Sequence, residues 1–225
     1  MNYKYIILDF GNVLVTPASG DWHKTPKFLE LVDVDSIDSK LLEEAFKKYE
    51  PLLGEKLLTL EAEYDMFLRY YDGILNHINY PNHYELAKEI AHDRTYTHNK
   101  YRICDDIVEE LTNLKGKYTL ILLTDNWPCV IPYLKDNKLY DFFDKIYISS
   151  VYGAEKRDKV LFDYPINDYN IKPGEALFID DSELNLDIAK EKGLDVMLMD
   201  RYKSNIKSKY KVINDLRGLI WVQMI

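Results

Sequence analysis

Five short apolar runs constrain the fold of this chain more than any other feature of its sequence. Each is five to seven residues long, is rich in β-branched or aromatic residues, and is bounded by polar or turn-forming residues, as buried strands are. The runs cover residues 3–9, 118–124, 144–149, 176–180 and 195–199, with amphipathic helical segments such as 105–114 and 185–192 among them. Strands alternating with helices predict an α/β fold, a Rossmann-like core whose parallel sheet is covered on both faces in three layers.

Residues 16–98 follow a different pattern. They contain no strand-like run and offer four amphipathic helical stretches, at residues 26–32, 39–53, 59–78 and 82–91. This pattern predicts an all-helical cap domain, residues 16–98, inserted into an α/β core domain formed by residues 1–15 and 99–225. The pattern of residues 211–224 predicts a last helix that packs on the core.

Charge and composition narrow the choice of partners. The chain of 225 residues has a net charge of −9, which argues against a nucleic acid or an anionic membrane as the main partner. The first apolar run is too short for a signal peptide, and no stretch approaches membrane-spanning length. Cys104 and Cys129 lack the spacing of a disulfide framework or a zinc site. These features predict a soluble cytoplasmic protein and leave its oligomeric state open.

Polar side chains follow four of the predicted strands at the point where each strand ends. They are Asp9 at the first, with Gly11 in the same loop, Thr124, Asp125 and Asn126 at the second, Lys156 after the third, and Asp180 and Asp181 at the fourth. Because the carboxyl ends of parallel strands meet at one edge of a sheet, we expect these residues to converge there.

The chemistry of this set is that of phosphoryl transfer. The carboxylate of Asp9 can attack phosphorus and form an aspartyl-phosphate, provided that the charge of the phosphate is neutralised. Mg²⁺ held by carboxylate and carbonyl oxygens would supply that charge, and Lys156 and the Thr124 hydroxyl can bind phosphoryl oxygens. The sequence therefore predicts a Mg²⁺-dependent enzyme acting on a small phosphorylated metabolite.

These residues, in this order, resemble the motifs of the haloacid dehalogenase superfamily of hydrolases with a C1-type helical cap. The motifs are Asp-Phe-Gly-Asn-Val at 9–13, Thr124, Lys156, and Asp-Asp-Ser-Glu-Leu-Asn at 180–185. The resemblance implies that Asp9 is the nucleophile and a metal ligand, and that the Gly11 carbonyl, Asp180 and Asp181 are further metal ligands. It implies that Thr124, Asp125 and Asn126 bind the substrate and that Lys156 steadies both the nucleophile and the phosphate. Asn185 would lie behind the metal ligands.

Two positions depart from the resemblance. Phosphatases of the superfamily usually carry a second Asp, the general acid and base, where this chain has Gly11, and relatives usually have Asn where it has Asp125. The Asp-x-Gly-Asn-Val form resembles sugar-phosphate phosphatases similar to bacterial α-glucose-1-phosphate phosphatase, whose anomeric leaving group tolerates weak acid catalysis. We hypothesise that Asp125 or a cap residue supplies the missing proton transfer.

Simpler interpretations compete with this one. Asp9 alone could end a strand, Thr124 and Asn126 could be turn residues, and Lys156 stands in a charge run typical of a solvated surface. Alternative functions are a 2-haloacid dehalogenase-type hydrolase, which the paired acids argue against, and a catalytically weak phosphometabolite-binding protein. Candidate substrate contacts are Trp22, His23, Lys24, Tyr64, Arg69, Asp93, Arg94, His98 and Trp127.

Overall fold

A central parallel sheet organises the molecule in the computed structural model, which describes residues 3–222 and the side chains of residues 3–219. The strands are β1 (Tyr5–Leu8), β2 (Val15–Pro17), β3 (Tyr101–Ile103), β4 (Thr119–Thr124), β5 (Lys145–Ile148), β6 (Ala176–Asp180), β7 (Asp195–Met199) and β8 (Val212–Ile213). Six of them form the sheet in the order β5-β4-β1-β6-β7-β8, and every neighbouring pair is parallel. The predicted α/β fold and its five strands are confirmed.

The position of β1 explains why the predicted site residues converge. It lies in the middle of the sheet, between β4 and β6, and Leu8 is paired with Leu122 on one side and Ile179 on the other. Asp9 therefore leaves the sheet beside the ends of β4 and β6. The sheet order places the carboxyl ends of these three strands at one edge.

Helices cover both faces of the sheet, because alternate residues of β1 are buried in opposite directions. Ile6 and Leu8 pack with α5 (Ile107–Leu114) and α6 (Val130–Asp136), whereas Ile7 packs with α8 (Val160–Tyr169) and α9 (Glu183–Glu191). The short α7 (Ser149–Tyr152) follows β5. This is the predicted three-layer arrangement.

The block between β2 and β3 is helical and has a hydrophobic core of its own. It contains α1 (Pro26–Leu31), α2 (Ser39–Tyr49), α3 (Leu60–His77) and α4 (His83–His92). Phe28, Phe67, Tyr71 and Ile90 are fully buried in a cluster separate from the two that flank the sheet. The arrangement agrees with a helical cap, although the division at residues 16–98 stays a prediction. Within the described residues, no helix has both the length and the apolar character to cross a membrane.

Two details of the sequence-based picture are wrong. The block 16–98 was expected to be free of strands, but β2 reaches Pro17 and pairs antiparallel with β3, so that a two-stranded ribbon joins the block to the sheet domain. Residues 211–224 were expected to be one helix; instead Val212 and Ile213 add a strand beside β7, and only Leu216–Val222 are helical, as a 3-10 turn. Residues 223 and 224 lie outside the described part. Two β-branched residues at an open sheet edge gain backbone hydrogen bonds that a helix start would lack.

Candidate active site

The loop after β1 presents Asp9 at the sheet edge and turns sharply. The Asp9 amide donates to the Ile179 carbonyl at 3.0 Å, which extends the pairing with β6 by one residue. Asn12 then adopts a left-handed conformation with φ of 52°, which Asn tolerates better than most residues. Its Nδ2 donates to Oδ2 of Asp181 at 2.8 Å. The first and last motifs of the sequence are thus joined by a direct hydrogen bond.

Lys156 is the central cation of the site. Its side chain is only 2% exposed, and Nζ lies 2.8 Å from Oδ1 of Asp9 and 2.6 Å from Oδ2 of Asp180. The residue starts a short 3-10 helix, Lys156–Asp158, in which the backbone N–H of Glu155 donates to Asp158 Oδ2 at 3.0 Å. Although burial disfavours the charged ammonium, Asp180 and Asp9 raise the pKa of Lys156. This placement argues against a solvated charge run.

The paired acids at the end of β6 differ in their surroundings. Asp180 is fully buried and accepts hydrogen bonds from the Ser182 amide at 2.8 Å and from Nδ2 of Asn185 at 3.1 and 3.2 Å, besides the Lys156 ammonium. Asp181 is half-buried and reaches the cavity described below. Burial and the neighbouring Asp180 raise the pKa of Asp181. Asp180 therefore anchors Lys156, while Asp181 faces the open space.

The carboxylates at this edge fit a divalent cation. Oxygen atoms of Asp9, Asp180 and Asp181 all lie within 4.8 Å of one another. Oδ1 of Asp9 is buried and, despite its proximity to the Lys156 ammonium, accepts no aligned hydrogen bond from the described residues. Burial raises the pKa of Asp9 to about 8; Lys156 opposes this rise, and Asp180 and Asp181 add to it. Three acids that repel one another and share only the Lys156 ammonium suit Mg²⁺ as a further cation.

The residues after β4 have different surroundings. Thr124 is buried at the strand end and lines the cavity, and its role as a phosphate-binding hydroxyl stays a prediction. Asp125 is exposed to the cavity, and its Oδ1 accepts a hydrogen bond from the Lys156 amide at 3.0 Å. Partial desolvation raises the pKa of Asp125, although Lys156 opposes the rise. In Asn126 the side-chain oxygen accepts from the Tyr101 hydroxyl at 3.1 Å and from the Trp127 amide at 3.0 Å, so this oxygen holds the loop.

Gly11 packs beside an indole ring. Its backbone is not in the left-handed conformation, so conformational freedom is not what the position requires. A Cβ built on Gly11 would lie 3.4 Å from Cζ2 and 3.6 Å from Cη2 of Trp22, an ordinary van der Waals contact. The general acid that the resemblance leads one to expect is absent from this position, and Trp22 lies beside it.

A cavity of about 380 Å³ lies above the sheet edge. It is lined by Asp9, Gly11, Asn12, Trp22, His23, Leu53, Arg94, Lys100, Tyr101, Thr124, Asp125, Asn126, Trp127, Lys156 and Asp181. Of the residues to which the sequence analysis gave a role in the site, all line this cavity except Asp180, which contacts Lys156 from behind, and Asn185, which donates to Asp180.

The predicted substrate contacts divide into two groups. Four of them line the cavity, namely Trp22, His23, Arg94 and Trp127, and five do not, namely Lys24, Tyr64, Arg69, Asp93 and His98. Sequence reasoning missed Asn12, Leu53, Lys100 and Tyr101. Asn12 belongs to the first motif and could have been found from it. The other three carry no local signal, because their position depends on how the helical block folds over the sheet.

Comparison with known proteins agrees with this geometry. Residues 31–199 match the family described as haloacid dehalogenase-like hydrolase. A curated relative, the D-ribitol-5-phosphate phosphatase of Bacteroides thetaiotaomicron, is 32% identical over 95 residues, which cover 39% of this chain and 46% of the relative. The matched stretch thus spans slightly under half of that relative. No α-glucose-1-phosphate phosphatase is among the relatives described here, so that finer resemblance stays a prediction.

Solved structures share the fold. The hydrolase YfnB from Bacillus subtilis, bound to magnesium, has a TM-score of 0.70 at 16% identity, with full coverage of both chains. A 2-haloacid dehalogenase from Pseudomonas syringae has a TM-score of 0.67 at 15% identity and covers 99% of this chain and 98% of its own. An enzyme of Bacteroides thetaiotaomicron, bt-2542, has a TM-score of 0.64 at 20% identity, with coverages of 91% and 97%. At these identities the likeness concerns the fold alone.

Proposed function

The chain belongs to the haloacid dehalogenase-like hydrolase family, and we propose that it is a Mg²⁺-dependent phosphatase of a small phosphorylated metabolite. The observation that carries the proposal is the buried Lys156, which contacts both Asp9 and Asp180 while Asp181 lies close by. The phosphatase activity of the curated relative supports the reaction class. Residues 16–98 form the cap over the site in this proposal, and residues 1–15 and 99–225 form the core.

Asp9 is the nucleophile of the proposed reaction. A carboxylate oxygen of Asp9 forms a bond to phosphorus, and the bond from phosphorus to the leaving oxygen breaks. Lys156 holds Asp9 in place, and the Thr124 hydroxyl and the Lys156 ammonium bind phosphoryl oxygens. Water then attacks the aspartyl-phosphate, which releases inorganic phosphate and restores Asp9. Asp9, Asp180, Asp181 and the Gly11 carbonyl would hold Mg²⁺, which would supply the positive charge that keeps these acids ionised and offsets the charge of the phosphoryl group.

Asp125 is the proposed proton donor to the leaving oxygen. It is exposed to the cavity that contains Asp9, and its pKa is raised, so a larger share of it is protonated than for a free Asp. Once it has given its proton to the departing alkoxide, the same carboxylate can accept a proton from the attacking water. Gly11, which has no side chain, can do neither.

Substitution of Asp125 should lower kcat by an amount that depends on the leaving group of the substrate. We expect Asp125→Asn to lower kcat by about 10²-fold for an alkyl phosphate, whose alkoxide needs a proton, and by much less for p-nitrophenyl phosphate. The amide keeps an oxygen to accept from the Lys156 backbone N–H, so the loop should be retained. Steady-state kinetics on both substrates test this. Equal losses on the two would show that Asp125 does not transfer the proton.

The cluster of carboxylates also separates the proposal from dehalogenation. A dehalogenase of the same fold is among the structural neighbours, so the fold does not decide between the reactions. Three acids whose oxygens lie within 4.8 Å of one another outnumber the single Lys156 ammonium beside them, and they repel one another unless a further cation is bound. That arrangement supports metal-assisted phosphoryl transfer. A protein that only binds phosphometabolites would need the same cation, and only turnover distinguishes it.

The decisive experiment is a phosphate-release assay over a panel of phosphorylated metabolites, with 2-chloropropionate as the dehalogenase substrate. We expect phosphate release that requires Mg²⁺ and is lost in excess EDTA, no chloride release, and a melting temperature that rises with Mg²⁺. Chloride release without metal would overturn the proposal in favour of a dehalogenase. Stabilisation by metabolites without turnover would favour a binding protein.

A further inference from the structure

Two buried cations, Arg94 and Lys100, lie on one side of the cavity, and only one of them has an ion-pair partner among the described side chains. Arg94 and Lys100 both line the cavity, and each is only 4% exposed. Lys100 has an ion-pair partner: Oε1 of Glu63 lies 3.9 Å from its ammonium, and Oε2 of Glu63 accepts from the Cys129 amide at 2.7 Å. Among the described side chains, Glu63 is the carboxylate within ion-pair distance of these two cations, and it pairs with Lys100 and not with Arg94.

Arg94 is the cation without a counter-ion. Its Nη1 donates to the Trp22 carbonyl at 2.8 Å and to the Tyr71 hydroxyl at 3.0 Å, both neutral acceptors. Its Nε is buried and has no hydrogen-bond partner, and no carboxylate among the described side chains forms an ion pair with the guanidinium. A buried guanidinium with an unused donor is costly, and an anion in the cavity would remove that cost.

The surroundings of Arg94 also suit a ligand whose two charged groups are joined by a carbon chain. The guanidinium carbon lies 4.4 Å from the centre of the Phe67 ring and 5.5 Å from that of Trp127, so its plane is held by aromatic rings. The indoles of Trp22 and Trp127 line the same cavity as Asp9. One molecule can therefore contact the phosphoryl site and Arg94 together.

We propose that Arg94 binds a second anionic group of the substrate, a carboxylate or a further phosphate, at the end away from the phosphoryl group that is removed. This rests on the proposed function, because it requires that the first phosphoryl group lies against Asp9. Arg binds carboxylates and phosphates through paired N–H donors, and the Arg94 guanidinium, which lines the cavity, has donors beyond the two hydrogen bonds made by Nη1. The preferred substrate is then an acid phosphate or a bisphosphate and not a neutral polyol phosphate.

The experiment measures binding, which does not depend on turnover. Calorimetric titrations with Mg²⁺ present use the Asp9→Asn protein and matched pairs of ligands with three to six carbons, the alditol phosphate and the aldonate phosphate, which differ in one terminal carboxylate. An alditol bisphosphate of each length separates the carboxylate from the phosphate source. We expect one of the charged ligands to bind about ten- to hundredfold more tightly than the neutral one at the best chain length.

The side chain responsible is tested by the ratio of the two affinities, because the ratio does not depend on how much protein is folded. When Arg94→Met is added to the Asp9→Asn protein, the ratio of charged-ligand to neutral-ligand affinity should come close to one. Arg94→Lys in the same background should retain part of the preference. Arg69→Met is the matched control, since Arg69 is exposed, pairs with Glu55 and does not line the cavity; its ratio should be unchanged.

Two results overturn the inference: equal or tighter binding of the neutral ligands at every length, or a charge preference that survives Arg94→Met. Turnover of p-nitrophenyl phosphate by the native protein is measured in parallel. Turnover without a charge preference rejects the Arg94 site alone. A charge preference without any turnover rejects the proposed phosphatase reaction and leaves the anion site standing.

Discussion

Asp9→Asn should reduce phosphate release by about 10⁴-fold or more, because an amide oxygen does not form the phosphorylated intermediate. The substitution keeps the shape of the side chain and an oxygen for the Lys156 contact. Single-turnover assays with labelled substrate should also show no phosphate trapped on the acid-quenched variant, in contrast to the native protein. Asp141→Asn, at an exposed position, is the control and should be fully active.

The same substitution should not harm folding. The pKa of Asp9 is raised to about 8, so in the metal-free fold ionisation of this group is unfavourable. Below the unfolded pKa of 3.8 the group is neutral in both states and has no effect; as the pH rises toward 8, the unfolded chain alone loses the proton and stability falls. We therefore expect Asp9→Asn in EDTA to be more stable than the native protein at pH 7.

Activity retained by Asp9→Asn would refute the mechanism.

Lys156→Met should have the largest combined effect on stability and activity. The ammonium is buried between Asp9 and Asp180, and its removal leaves the buried Asp180 carboxylate without its cation. Breaking a buried ion pair in this way costs about 3–5 kcal/mol. Because the pKa of Lys156 is raised above its unfolded value, its contribution is fully present at pH 7 and would be lost only in strong alkali. We expect kcat/KM to fall by about 10³-fold or more, since a phosphoryl contact is lost as well.

Urea denaturation with and without Mg²⁺ checks this result. The metal should restore part of the stability of Lys156→Met, because it supplies another positive charge to the same acids. Lys159→Met is a matched control three residues away: Lys159 is exposed and pairs with Glu191 at the surface, so its loss should cost less than about 1 kcal/mol and leave kcat unchanged. Lys156→Met with native stability and activity would show that the buried contacts are not what positions Asp9.

Most of the site residues at the sheet edge could be predicted from the sequence, whereas few of the residues that line the cavity above it could. Asp9, Thr124 and Asp180 could be placed because each directly follows an apolar run, and parallel pairing then brings those ends together. The pairing of Val15–Pro17 with Tyr101–Ile103 joins segments far apart in the chain and leaves no local pattern. Lys100 was missed for a similar reason. Its burial beside Glu63 follows from tertiary packing, and nothing in its neighbours along the chain distinguishes it from a surface lysine.

The contact between Trp22 and Gly11 also links two parts of the site through one residue. A side chain introduced at position 11 would begin in van der Waals contact with the indole of Trp22, so an acid placed there has to pass beside that ring to reach a substrate. The backbone carbonyl of the same Trp22 accepts a hydrogen bond from Arg94. A change at Trp22 that gives an acid more room therefore falls on the residue that contacts the proposed anion-binding side chain.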